Sequence, residues 1–89
     1  MVYIMKAFTI LSDNQGNEIE QELSELAIFA NLEEIQQLIE FLTYVKEDHL
    51  VQHRDEHIAV THSHFSMWKG DPVCKPDLQI WSTSDDANR

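Results

Sequence analysis

Positive charge is scarce in this sequence. Six lysines and arginines stand against sixteen aspartates and glutamates, for a formal charge of −10. A field of that sign repels phosphate backbones and the anionic face of a membrane, so neither nucleic acid nor a lipid surface is expected as a partner. Cysteine is nearly absent: Cys74 alone excludes an intramolecular disulfide framework and any cysteine-rich zinc site. Glycine and proline number two each, a composition of few breakers that fits long elements joined by short turns. No apolar run approaches the ~18 residues of a membrane span. Residues 1–6 alternate in character and lack the form of a signal peptide. The expectation is a soluble, reduced, cytoplasmic protein.

What is present is enough for a small globule. Hydrophobic residues make up 43% of 89, with four Phe, two Trp and two Tyr, which argues against a disordered chain. A chain of this length holds one core, and it buries only roughly 60–65% of the surface its unfolded form exposes, so it stands to gain from self-association. One domain is expected over residues 1–84, with a polar, frayed tail at 85–89.

Residues 2–11 are apolar on both faces, with Val2, Ile4, Phe8 and Ile10 on one and Tyr3, Met5, Ala7 and Leu11 on the other. That pattern marks a central strand or one covered at an interface. Ser12-Asp13-Asn14-Gln15-Gly16-Asn17 is a hairpin tip, and a second strand is expected over 18–29 with a bulge near Ser24-Glu25, where the apolar phase shifts. Asn31, followed three residues later by Glu34, opens a helix as a capping box. Leu32, Ile35, Leu38, Ile39, Leu42, Val45 and His49 then recur at three- and four-residue steps, the stripe of a helix lying on a sheet, with Phe41 and Tyr44 widening it. The helix is expected from Leu32 to about Asp48. A third strand follows at 58–65, then a turn through Gly70-Asp71-Pro72 in which Trp68 folds back on the core, then a last strand at 78–83 with Leu78 and Ile80 inward. The fold class expected is α+β in the order β-β-α-β-β: a mostly antiparallel four-stranded sheet with one amphipathic helix on one face. The other face has no second helix to cover it, so a homodimer or a partner protein is expected there.

Chemistry is hinted at in one stretch, Thr61-His62-Ser63-His64-Phe65. Two histidines two residues apart on one strand face can chelate zinc or another divalent metal. A third ligand would come from Asp77, His57 or Asp71, and the candidate set is His62, His64 and Asp77. The competing reading has each imidazole hydrogen-bonded at the sheet end, with Asp77 as partner. His49, His53 and His57 are four residues apart, a spacing that on a helix would stack three rings on one side. However, Asp48, Asp55 and the β-branched run that follows mark the helix as fraying or finished by about Gln52, and loop histidines of this kind are expected to be solvated. Cys74 beside Lys75 lacks a positioned base, and no phosphate loop, dinucleotide fingerprint or zinc-protease motif is present, so an enzyme is not expected.

The segment His62-Ser63-His64-Phe65, then Trp68, then Pro76-Asp77-Leu78-Gln79-Ile80 resembles a group of small bacterial proteins catalogued as predicted immunity proteins of polymorphic toxin systems. The likeness covers about the last two-thirds of the chain. Where that group has acidic residues after His-Phe, this chain has Ser66-Met67-Trp68-Lys69. The resemblance implies a non-enzymatic inhibitor with no catalytic residues and no cofactor. Charge points to the same kind of partner by a separate route, because carboxylates presented where phosphates would lie attract a basic protein such as a nuclease toxin. The expected contact surface is Asp13, Glu18, Glu20, Glu22 and Glu25. Two alternatives stand beside it: a metal-binding protein or metal-dependent enzyme using His62 and His64, and a homodimeric scaffold.

Overall fold

The computed structural model describes residues 5–84. The expectations for Val2, Tyr3 and Ile4 and for the tail at 85–89 lie outside the described residues. Six elements follow one another: β1 (Ala7–Ser12), β2 (Glu18–Leu23), α1 (Leu32–Gln52), β3 (Val60–His64), α2 (Phe65–Lys69) and β4 (Gln79–Thr83). The class is α+β.

The finer expectation needs correction. In place of one four-stranded sheet there are, among the described residues, two separate two-stranded antiparallel sheets, β1–β2 and β3–β4. A charged edge explains part of the difference. β2 reads Glu-Ile-Glu-Gln-Glu-Leu, and a strand edge lined with carboxylates is a poor template for a further strand. A second helix was also unforeseen: α2 starts directly after β3, where a turn was expected. It ends at Gly70, whose positive φ of 71° lets its N–H reach back to the carbonyls of Met67 and Ser66.

The first hairpin forms for local reasons. The Asp13 carboxylate accepts from the backbone N–H groups of Gln15 and Asn17, both at 2.8 Å, and Gly16 supplies the positive φ the turn requires. β2 stops at Leu23, so the phase shift near Ser24-Glu25 is the end of the strand and not a bulge. An irregular linker then leads to the helix.

Helix α1 begins as expected. The Glu34 N–H donates to Asn31 Oδ1 at 2.8 Å and the Asn31 N–H donates to Glu34 Oε1 at 3.0 Å, closing the capping box. It runs one turn beyond Asp48, because the side chains of that turn find partners on β3 and β4. Its buried row is Phe41, Val45 and His49, with Leu38 half-buried beside it. Leu32, Ile35, Ile39 and Leu42, assigned inward by their spacing, are exposed. The flanking residue Phe41 is the centre of the core.

That core is small and aromatic. Phe41 is fully buried, its ring 5.2 Å from Phe65 in an edge-to-face contact and 5.6 Å from Trp68. Trp68 folds back as foreseen and stacks on Phe65 at 5.8 Å, while Leu78, Ile80 and Cys74 pack around the three. The hairpin β1–β2 contributes nothing to this cluster and makes its extensive contacts only within itself.

Candidate functional site

Two surfaces were singled out by sequence: the histidine stretch on β3 and the acidic hairpin. The β3–β4 register pairs His62 with Trp81, His64 with Gln79, Thr61 with Ser82 and Ser63 with Ile80. Paired residues share a face, so His62, His64, Trp81 and Gln79 lie on one face of the strand pair and Thr61, Ser63, Ser82 and Ile80 on the other. The second, inner face makes the hydrogen bonds to α1, while His62 and His64 border a cleft shared with Tyr44, Asp48 and Gln52 of α1.

On the first face the His62 and His64 rings meet edge to face, 5.2 Å between centroids, and each also has a partner of its own. The His62 ring stacks on Trp81 at 4.2 Å, nearly parallel. His64 pairs through Nδ1 with Asp77 Oδ2 at 2.8 Å. The other Asp77 oxygen accepts from the Ser66 N–H at 2.8 Å, satisfying a free donor in the first turn of α2. Partial burial pushes the Asp77 carboxyl up, but the hydrogen bonds from His64 and Ser66 outweigh it and leave the group below its ordinary range. Asp77 therefore orients His64 and holds α2. Among the described residues no group of three or more His, Cys, Asp or Glu side chains is arranged to hold a metal ion.

The inner face carries a network the sequence reading missed. His53 Nδ1 lies 3.2 Å from the Ile58 carbonyl, and a carbonyl only accepts, so this nitrogen carries the proton. In the neutral ring His53 Nε2 then accepts from the Ser82 hydroxyl at 2.9 Å. Ser82 in turn accepts from His49 Nδ1 at 2.6 Å, which leaves His49 Nε2 to accept from the Ser63 hydroxyl at 2.9 Å. One backbone carbonyl thus sets the direction of four successive hydrogen bonds. Beside them the Thr61 hydroxyl donates to Gln52 Oε1 at 2.6 Å, and Gln52 donates to Asp48 at 2.6 Å. Among the described residues, every buried side-chain nitrogen and oxygen has a partner.

A cleft opens along β3 where α1 and α2 meet it, with Asp48, Ser63, His64 and Trp68 in its wall. Ser63 donating to an imidazole is one component of a nucleophile–base pair. However, the ring's second nitrogen meets the hydroxyl of Ser82, which cannot stabilise an imidazolium as a carboxylate does. Burial also holds His49 below its ordinary range; His53 and His62 add to this against the opposing pull of Asp48. The ring is thereby a weaker base than an exposed imidazole. Its work is to fasten the last turn of α1 to the strand pair. The four-residue step from His49 to His53 was the available signal, and it does place both rings on Ser82. His57 takes no part in these bonds, its backbone N–H going to Asp55.

The acidic set divides in the same way. The register pairs Phe8 with Glu22, Ile10 with Glu20 and Ser12 with Glu18, so three glutamates and two apolar side chains share one exposed face of the hairpin. Glu25 lies in the linker beyond the strand. Asp13 is engaged in the turn; accepting the N–H groups of Asn17 and Gln15 lowers its pKa. Among the described residues no helix is long and apolar enough to cross a membrane. No family model, curated protein or solved structure matches the chain.

Proposed function

We propose that the chain is a non-enzymatic protein-binding module that captures a basic protein on the β1–β2 hairpin, as an immunity-type inhibitor captures a basic toxin. The observation that carries this reading is the shared face of Glu18, Glu20 and Glu22 with Phe8 and Ile10. Apolar side chains that are desolvated on contact supply affinity, and a row of carboxylates beside them supplies approach rate and choice of partner. The hairpin stands clear of the core cluster, so its face is available without unfolding anything. Glu25, in the linker, belongs to the margin of the surface, and Asp13 shapes its tip.

The test is capture from a bacterial lysate with the full chain and with a Glu18→Gln, Glu20→Gln, Glu22→Gln variant as parallel baits. A basic protein released by raised salt and retained about tenfold less by the variant is the expected result. Equal retention on both baits would sink the proposal.

A further inference from the structure

The outward stripe of α1 is a surface the proposed function does not use. Leu32, Ile35, Ile39, Leu42 and Lys46 follow one another at alternating three- and four-residue steps, the spacing of a helix–helix seam. The stripe lies roughly a third of a turn round the axis from the buried row of Phe41, Val45 and His49. Leu32 is 86% exposed and Ile39 52%, and the linker leading into the helix adds Leu26, Ile28 and Phe29, all exposed. An exposed apolar stripe of this kind marks an interaction surface.

The identity of the occupant follows from charge and area. In a chain of net charge −10, the stripe holds no carboxylate, and its one charged member is the cation Lys46. Glu33, Glu40 and Glu47 project from other sides of the helix. The stripe is bordered by Gln36 and by Thr43, whose hydroxyl is turned back onto the Ile39 carbonyl. A basic partner would find nothing to pair with here, whereas two copies of this acidic chain can meet here without repulsion at close range. The area agrees. A compact monomer of this mass, 10.4 kDa, exposes about 5,400 Å², and this chain exposes 7,804 Å². Even if the nine residues outside the described stretch are discounted at the full value for an extended chain, about 1,500 Å², an excess of about 900 Å² per chain remains. A stable interface needs about 800 Å² from each partner.

We propose that the chain is a homodimer whose interface is the Leu32–Ile35–Ile39–Leu42 stripe of α1 packed against the same stripe of a second copy. Light scattering and sedimentation of the full chain at roughly 100 μM, far above a micromolar Kd, are expected to give twice the chain mass. Ile39→Glu and Leu42→Glu each set carboxylates against each other across the two-fold axis and are expected to raise the dimer Kd at least about a hundredfold. Val73→Glu, at a more exposed apolar position off the helix, is expected to leave it unchanged. Should a stripe variant lose its far-UV spectrum, the wild-type melting temperature supplies the reading, since it rises with protein concentration only if folding and association are coupled. A monomeric wild type with a concentration-independent melting temperature overturns the proposal. So does a dimer that survives both stripe substitutions or is lost equally with Val73→Glu. Neither stripe residue belongs to the hairpin, so failure here is distinguishable from failure of partner capture.

Discussion

The two hairpins of this molecule are both antiparallel and nearly equal in length, yet they are stabilised by different means. β1–β2 is a product of its turn: Asp13 and Gly16 close it, and its side chains, apolar and acidic alike, stay at the surface. β3–β4 is joined through α2 and a long loop, and it is held by what lies under it. Phe65, Trp68, Leu78 and Ile80 meet Phe41 and Val45, and Ser63 and Ser82 meet His49. Strand pairing is therefore not the quantity that separates them; burial is. A two-stranded ribbon is marginal alone in water, so stability belongs to the second region and recognition is left to the first.

Deleting the aromatic centre should break that contrast most visibly. Phe41→Ala removes a fully buried ring in contact with Phe65 and Trp68 and is expected to cost about 3–5 kcal/mol in urea denaturation. Phe8→Ala on the exposed hairpin is expected to cost less than about 1 kcal/mol. Comparable losses would mean the hairpin shares the core. His49→Ala comes next, at about 2–4 kcal/mol, since the ring's volume is lost and Ser63 is left without its acceptor, while Ser82 keeps His53.

The same histidine gives the second region a pH dependence. Burial lowers its pKa, so the unfolded chain binds the proton more readily than the folded one. The stabilisation is complete above the ordinary value of 6.5 and is lost as the pH falls from there through the lowered native value. Thermal melts between pH 7.5 and 5 should show the wild type losing stability over that range and His49→Ala losing less.

These contrasts also explain how far the sequence could be read. Elements governed by local chemistry were legible: the Asp13–Gly16 turn, the Asn31/Glu34 capping box, and the return of Trp68 onto the core. The sheet count was not, because nothing in the alternation of β2 and β3 says whether their edges meet. The helix period showed that α1 is amphipathic but not which half of a broad apolar stripe would be used. Phe41 lay at its margin in the sequence and at the centre in the fold. The inner face of β3 was not legible for a related reason. Thr61, Ser63 and Ser82 are small and polar, and they face inward only because His49, His53 and Gln52 reach across to satisfy them. His62 and His64, conspicuous by type, lie on the other face with their rings in contact, and of the three candidate metal ligands only His64 and Asp77 are hydrogen-bonded to each other.

The start of α1 offers a smaller test, on the side of the molecule away from the core. Asn31→Ala removes the half of the capping box in which the Glu34 N–H donates to the Asn31 side chain, leaving the backbone N–H of residue 31 on Glu34, and on this exposed first turn is expected to cost about 1 kcal/mol. Leu32, just inside that cap, is exposed, so the loss should be read chiefly as fraying of the first turn by circular dichroism.

The smallest expected effect, Asp77→Asn, separates the His64 contact from the Ser66 hydrogen bond at the rim of the second region. The amide keeps an oxygen to accept from the Ser66 N–H but turns its NH2 toward His64 Nδ1, so it gives up both the charge and the acceptor facing His64, a pair about a third exposed and screened by solvent. The expected cost is about 0.5–1 kcal/mol at neutral pH. Asp77→Ala also orphans the Ser66 donor in the first turn of α2 and should cost more, about 1–2 kcal/mol. Because the native carboxyl is held below its ordinary 3.8, its contribution is present above that value and is lost as the pH falls through the lowered native one. That step lies well below the range in which His49 acts, and the Asn variant should lack it. If Asn and Ala cost the same at neutral pH, the contact with His64 and not the Ser66 hydrogen bond is what ties β4's approach to α2. The rim would then depend on a carboxylate's contact, as the acidic hairpin is proposed to, and the contrast between the two regions would narrow to the aromatic core alone.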